Sequence, residues 1–230
     1  LLNEVTNLVE MPTAVMGGFD KESLSLPRDV LISVMKKHQR YFPVVKSSRS
    51  QVPGSRSGKQ PETWNVAHGT LLPHFIAVRN GDDIGIDIVR QGNEHVLGAR
   101  FADANFFVRE DLKRPLEAYR PELSKLIVQT KLGSVLDKSE RMNKLVNDLI
   151  PMLGLENDEA VFARRAVHLA KADLVTQMVT EMTSLQGVIG REYALRNGEQ
   201  KDVANGIGEQ YLPVPRSKIG LAVALKLLLD

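Results

Sequence analysis

The sequence predicts an α+β fold, with a mixed helix-and-strand domain at residues 1–113 and an all-helical domain at residues 114–230. Two observations carry this prediction. Short strand-like runs of β-branched and aromatic residues lie almost entirely in the first half, whereas the second half repeats apolar residues at helical spacing. The 230 residues are 43% hydrophobic and 25% charged, and none is cysteine. This composition is typical of a globular chain that folds without disulfides.

The first half predicts helices and strands in alternation. Apolar residues at helical spacing indicate a first helix that Pro12 ends, and Leu26-Pro27 opens a second helix with an apolar face at Val30, Leu31, Val34 and Met35. Strands are predicted at 13–19, 42–45 and 71–78, and a long helix at 86–107 with Val89, Val96, Leu97 and Phe101 inward. Residues 46–69 are rich in Ser, Gly and Pro, which predicts an inserted loop.

The second half predicts helices with clear end signals. Ser134 is expected to cap a helix that Gly154 closes, and Asn157 or Asp158 to cap the next, with an apolar stripe from Val161 to Met178. The only strand predicted here lies near 126–129. Shorter helices are expected at 188–195, 201–211 and 217–229.

Charge and motifs exclude several classes of function. Basic and acidic residues number 14 and 13 up to Lys113, then 16 and 15, so each half carries a net charge of +1 and only local patches could attract nucleic acid. No phosphate-binding glycine loop, HExxH or GxSxG motif occurs, and the five histidines are scattered. We therefore predict no catalytic residue, no metal ligand and no membrane span.

One basic cluster has the composition of an RNA contact. Lys36, Lys37 and Arg40 stand beside Tyr41, and cations next to an aromatic ring suit phosphate contact and base stacking. Arg100, on the predicted long helix, is a fourth candidate. The alternative for each residue is a solvated helix face.

The stretch from His168 to Leu174 has a second interpretation. Its place in a helical domain resembles the HD phosphohydrolases, in which an adjacent His and Asp bind metal. Here Ala172 precedes Asp173, and alanine has no donor atom for a metal. A degenerate HD-like fold without its metal is therefore favoured over a working metal centre.

Longer motifs, in order along the chain, resemble the beta subunit of bacterial-type glycyl-tRNA synthetase, or the beta-like portion of a fused chain. They are LNEVTNLVE (2–10), MKKHQRYFP (35–43), PHFIAV (73–78), GNEHVL (92–97), RFADANFF (100–107), KLG (131–133), DKSER (137–141), KADLVT (171–176), LQG (185–187) and YLP (211–213). Met11 replaces the usual Trp, residues 46–69 look inserted, and the 224–230 ending differs from the family's.

The resemblance implies part of a ligase that joins glycine to tRNA(Gly) using ATP and Mg²⁺. It implies a B3/B4-like domain at 1–113 with the 46–69 loop, and a C-terminally truncated HD-like domain at 114–230. Both would bind tRNA, while the aminoacylation centre, with ATP, would belong to the alpha subunit or an alpha-like region. The full enzyme is expected to be a dimer.

Two alternatives to tRNA binding stay open: an editing hydrolase for mischarged tRNA, and a metal-dependent HD phosphohydrolase. Loops such as 46–69 lengthen at little entropic cost, so insertions can accumulate without loss of the fold. We associate such insertions with eukaryotic copies more than with compact bacterial ones, so we expect a chloroplast or mitochondrial enzyme rather than a bacterial cytoplasmic one.

Overall fold

The computed structural model describes residues 1–46, 69–129, 131–211 and 219–220. It divides into two compact units, Leu1–Asn105 and Phe106–Asp230. The predicted α+β class is confirmed, since helices combine with two small antiparallel sheets. The B3/B4-like and HD-like layout stays a prediction, and the 46–69 loop lies almost wholly outside the described residues.

The elements of the N-terminal unit follow the predicted order. They are α1 (Leu2–Leu8), β1 (Pro12–Gly18), a 3-10 turn (Lys21–Ser25), α2 (Arg28–Ser33), a π-helical turn (Val34–His38), β2 (Phe42–Lys46), β3 (Thr70–Asn80) and α3 (Ile86–Asp111), whose last six residues belong to the C-terminal unit. Helix α1 ends at Leu8, four residues before Pro12, which is the first residue of β1, so the prediction that Pro12 ends this helix is wrong. No described helix is long and apolar enough to cross a membrane.

The three-stranded sheet has the order β1-β3-β2, with both pairs antiparallel. Val15 lies opposite Ala77, and the alternation of the strands buries both together with Phe75. Gly17 lies opposite Phe75, whose ring occupies the space that a Cβ at position 17 would need. This glycine therefore permits close packing of the ring.

Helices supply the remaining core of the N-terminal unit. The predicted apolar face of the second helix is confirmed: its four residues are at most 1% exposed. On α3, Leu97 and Phe101 are buried as predicted. Val96 is 43% exposed, so its predicted inward position is wrong. The buried stripe runs through Leu97, Phe101, Ala104 and Val108, and Val96 lies about 100° away from it on the helix.

Within its described residues, the C-terminal unit is helical apart from one short hairpin. Its elements are a 3-10 segment (Leu116–Lys125), β4 (Ile127–Gln129), β5 (Gly133–Ser134), α4 (Val135–Met152), α5 (Asn157–Leu169), a 3-10 turn (Ala172–Val175), α6 (Gln177–Glu181), a 3-10 turn (Thr183–Leu185), α7 (Val188–Arg196) and α8 (Lys201–Glu209). Ser134 caps α4 as predicted, in a full capping box with Asp137.

The predicted apolar stripe from Val161 to Met178 is broken in the structure. Helix α5 ends at Leu169, and Thr176 caps α6 by accepting a hydrogen bond from the Val179 N–H. Val161 is 57% exposed. The predicted caps of α5 are also wrong, because the N-cap is Glu156. The 217–229 helix lies outside the described residues except at 219–220.

Candidate functional site

Three of the predicted RNA contacts lie on one turn of the N-terminal unit. The π-helical turn Val34–His38 buries Met35 completely, while Lys37 is exposed and Lys36 half-buried. The chain then reverses at Arg40, which has a φ of 56°, and the N–H of the next residue donates to the Met35 carbonyl oxygen at 2.8 Å. The buried methionine thus anchors a turn that presents three cations.

The partners of these cations differ. Arg40 Nε donates to Glu4 Oε1 at 2.7 Å, and this contact lowers the pKa of Glu4. Both side chains are at least half exposed, so the pair adds little to stability and can exchange for another anion. Lys36 and Lys37 have no ion partner among the described residues. We refer to Lys36, Lys37 and Arg40 as the 36–40 cluster.

The expectation that Tyr41 stacks on a base is wrong. Its side chain is 8% exposed, and its ring stacks on Phe75 with 4.7 Å between centroids and 13° between planes. Burial raises the pKa of Tyr41. The residue follows the turn directly and enters the sheet core, so the aromatic ring stabilises the fold and the cluster is purely cationic.

Arg100 lies on a different element. It is exposed on α3, next to the buried Phe101, and it has no ion partner in the part of the chain that the structure describes. Its guanidinium is therefore available to a phosphate from solvent.

Acids and histidines of the described residues form no group of three that could hold a metal. Asp82 Oδ1 accepts a hydrogen bond from the Ile84 N–H at 3.1 Å, and Asp87 pairs with Arg90 at 3.0 Å. These carboxylates therefore stabilise a turn and the first turn of α3.

The two residues predicted to form a degenerate HD-like position, Ala172 and Asp173, lie in the core of the C-terminal unit and are fully buried. Asp173 Oδ2 accepts hydrogen bonds from the N–H groups of Gly187, at 2.5 Å, and Gly190, at 3.2 Å, while Oδ1 is buried and has no hydrogen-bond partner among the described residues. Desolvation raises the pKa of Asp173 to about 6 despite these bonds. The carboxylate thus fixes the start of α7.

A buried lysine lies close in sequence to this carboxylate. Lys171 is 7% exposed, and its Nζ donates to the Tyr211 hydroxyl at 2.7 Å and lies 4.1 Å from the ring centroid. Burial lowers the pKa of Lys171 to about 8, although the charge of Asp173 acts in the opposite direction. Lys171 therefore faces the interior of the unit.

A groove that sequence reasoning missed opens on α5. It has a volume of about 600 Å³, an apolar floor and a polar rim. Arg165 donates to Glu117 at 2.9 Å and to Glu199 at 2.6 Å, and the first of these contacts lowers the pKa of Glu117 to about 2. The groove is lined by Glu117, Asn143, Val146, Val161, Arg164, Arg165 and His168.

His168 occupies one end of this groove. Its Nε2 lies 3.0 Å from Glu117 Oε1 and 3.2 Å from an Arg120 guanidinium nitrogen. A carboxylate only accepts, so the Nε2–H tautomer, donating to Glu117, satisfies the closer contact. Desolvation and the Arg120 charge lower the pKa of His168, so the ring is neutral at pH 7. Arg165 and Glu117 pair with each other, whereas the hydrogen-bond partner of Arg164 is the neutral Asn147 Oδ1, at 2.8 Å.

A second buried carboxylate, Asp111, connects three elements of the C-terminal unit. It is 2% exposed and accepts hydrogen bonds from the first two N–H groups of α6, at 2.8 and 3.0 Å, and from the Tyr193 hydroxyl at 2.9 Å. The sequence gives no signal for this, because its partners lie 66 to 82 residues away. Arg164 and His168 are four residues apart and Arg165 is adjacent, so the sequence alone indicates that these side chains lie close together on one helix.

Comparisons with known proteins match the whole chain. Residues 1–230 match a family model described as glycyl-tRNA synthetase beta subunit. This chain belongs to that family. It is 47% identical to the glycine–tRNA ligase beta subunit of Clostridioides difficile over 236 residues, covering 100% of this chain and 31% of that protein. The corresponding subunits of Halothermothrix orenii and Trichodesmium erythraeum are 47% and 44% identical, over 93% and 100% of this chain.

Family membership confirms the resemblance, and the match covers only part of each relative. The chain spans about a third of the length of these beta subunits. A beta subunit of glycyl-tRNA synthetase is part of an aminoacyl-tRNA synthetase and implies an alpha subunit beside it. The relatives named above are bacterial, and they give no support to the expected organellar location.

Proposed function

We propose that this chain is a tRNA-binding, non-catalytic portion of a glycyl-tRNA synthetase. In this proposal it holds tRNA(Gly) while the alpha subunit, which binds ATP and Mg²⁺, attaches glycine to the 3′ end. Its contribution is to position the substrate: contacts with phosphates fix the tRNA so that a distant reacting group reaches the active site. The assembled enzyme would be a dimer of such pairs.

The 36–40 cluster carries the proposal. Membership of the family suggests tRNA as the ligand, and the cluster supplies cations that can contact the phosphates of its backbone. Lys36 and Lys37 carry no internal ion pair among the described residues, and the exposed Arg40–Glu4 pair can exchange its carboxylate for a phosphate. Arg100 adds a fourth positive charge on α3.

Filter-binding of tRNA(Gly) to the complete synthetase, over a series of salt concentrations, tests the proposal. Changing Lys36, Lys37, Arg40 and Arg100 together to Gln should weaken binding and reduce the magnitude of the slope of log K against log[salt] by about three to four, because each of the four phosphate contacts contributes close to one. The control variant changes four other exposed cations, Lys21, Arg109, Lys144 and Lys201. An unchanged slope in the first variant, or an equal loss in the control, contradicts these contacts.

The two alternative functions have less support. Glycine is the smallest amino acid, so a steric pocket already rejects larger competitors and editing is less necessary. For the phosphohydrolase, Ala172 offers no donor atom and Asp173 directs one carboxylate oxygen to backbone N–H groups. Metal analysis of the purified chain would revive this function if stoichiometric manganese, iron or nickel were bound and were lost in Asp173→Asn.

The bacterial origin of the named relatives favours a bacterial cytoplasmic enzyme, the alternative location, over a chloroplast or mitochondrial one. A gene whose product carries an Arg- and Ser-rich, acid-poor N-terminal transit segment would contradict this choice.

A further inference from the structure

The β4–β5 hairpin of the C-terminal unit exposes apolar side chains on both of its faces. Ile127 is 69% exposed, Val128 43% and Leu132 42%. Ile127 and Val128 are successive residues of β4 and therefore point to opposite faces, so neither face of this strand is buried. β-propensity accounts for a branched residue in a strand, but it does not account for an exposed Leu132 at the turn.

The hairpin is nevertheless held firmly at its base. The Val135 N–H donates to the Leu126 carbonyl oxygen at 2.7 Å, where β5 leads into α4. The capping box of α4 fixes Ser134, and an Arg141 guanidinium nitrogen donates to the Leu132 carbonyl oxygen at 2.9 Å. A two-stranded hairpin is marginally stable alone, so these contacts are what keep its apolar side chains outward.

Positive charge flanks the apolar side chains. Lys125 precedes β4 and its side chain is 74% exposed, and Lys131 is exposed at the turn. Lys131 has no ion partner among the described residues. Glu122 pairs with Arg114 at 2.6 Å and with Lys125 at 3.4 Å, and Asp137 belongs to the capping box. The hairpin therefore combines exposed apolar side chains with the unpaired Lys131 and with Lys125, which shares its carboxylate with Arg114.

We propose that this hairpin contacts the end of an RNA double helix, with Ile127, Val128 and Leu132 against the terminal base pair and Lys125 and Lys131 on the adjoining phosphates. Base-pair faces are apolar and phosphates are anionic, and aliphatic wedges contact base planes in other nucleic-acid complexes. The flanking lysines favour this occupant over an apolar protein surface. The inference rests on the proposed function and names the part of the tRNA that this hairpin touches.

The test uses the complete synthetase and a tRNA(Gly) transcript carrying 2-aminopurine at its first base pair. Binding should change the fluorescence of this base, because its stacking changes. Changing Ile127, Val128 and Leu132 to Ser should abolish that change and weaken binding roughly tenfold, the scale of one stacking contact. The matched control changes three other exposed apolar residues, Ile84, Ile88 and Met152, to Ser and should behave as the wild type.

Lys125 and Lys131 are tested separately. Changing both to Gln should lower the salt slope by one to two while the fluorescence change persists in the bound complex. The serine variants lie at exposed positions, and an unchanged circular dichroism melting curve establishes that they fold.

The outcomes separate this inference from the proposed function. If the 36–40 cluster variant loses tRNA affinity while the hairpin variants bind and fluoresce as the wild type, the proposed function stands and the hairpin contact is wrong. If the serine variant instead separates the alpha and beta subunits and leaves tRNA affinity unchanged, the hairpin binds protein and the inference is overturned. If only the hairpin variants lose affinity, the inference stands and the 36–40 contacts fail.

Discussion

The buried carboxylate of Asp173 should make the chain less stable as the pH rises through the weakly acidic range. Burial raises the pKa of Asp173 from 3.8 to about 6 in the folded state. Between these values the unfolded chain has released the proton while the folded chain still holds it. The folded state therefore binds more protons, and the free energy of unfolding falls as the pH rises, until the folded carboxyl has ionised as well.

The size of the effect follows from the difference in pKa. Each pKa unit corresponds to about 1.4 kcal/mol, so a difference of about two units costs about 3 kcal/mol when the carboxylate is fully ionised. About two thirds of this cost develops between pH 4.5 and 7. Asp173→Asn keeps an oxygen for the Gly187 and Gly190 N–H groups and carries no charge. The variant should lack this pH dependence.

Urea unfolding followed by circular dichroism, at several pH values from 4.5 to 7, measures the difference. The free energy of unfolding of Asp173→Asn minus that of the wild type should rise by about 2 kcal/mol across this range. The range ends at pH 7 because Lys171, whose pKa is about 8, loses the favourable charge of Asp173 in the variant and then titrates differently. Asp148→Asn, an exposed carboxylate of α4, controls for the loss of one negative charge. A difference that stays flat, or that falls with pH, would falsify the assignment of a raised pKa.

Three further substitutions test the packing on which the two units depend. Asp111→Ala should cost about 3–5 kcal/mol in urea unfolding, because it leaves two buried N–H groups of α6 and the Tyr193 hydroxyl without partners; a loss below about 1 kcal/mol contradicts this. Ser134→Ala should cost about 1 kcal/mol by removing the cap of α4, and Ser134→Thr should restore most of it. Gly17→Ala should cost about 1–3 kcal/mol, because the new Cβ displaces the Phe75 ring, and a melting temperature equal to the wild type's would show that the ring moves freely.

Local signals explain which parts of the fold could be predicted. Ser134 acts through its own backbone and neighbouring residues, so the start of α4 could be predicted from the sequence. The break after α5 was not readable, because an apolar stripe continues across it. The break depends on a buried hydrogen bond between Asp173 and the start of α7, a partner 14 residues away.

The same distinction between local and distant determinants applies to the candidate site. The basic run around Lys36 is visible in the sequence, and so is the presence of an aromatic ring beside it. Whether Tyr41 faces solvent depends on Phe75, which a strand brings against it from 34 positions later in the chain. The partners of Arg165 lie 48 and 34 residues away, so the ion pairs that hold it could not be predicted either.

The distribution of internal ion pairs, more than the number of cations, indicates where this chain can attract RNA. In the C-terminal unit Arg165 is held by two carboxylates, Arg120 by Glu140 and Arg196 by Glu192. Such guanidinium groups contribute little field to solvent, because a carboxylate within about 3 Å cancels most of their charge at a distance.

Lys36, Lys37 and Arg100 in the N-terminal unit have no such partner in the part of the chain that the structure describes, and neither does Lys131 in the C-terminal unit. A net charge of +1 for each half of the sequence does not reveal these positions. We expect the salt dependence of RNA affinity to respond to the 36–40 cluster and to Lys131. Neutralising Arg165 should instead release Glu117 and Glu199 and weaken tRNA binding by adding unpaired negative charge, even though Arg165 itself touches no phosphate.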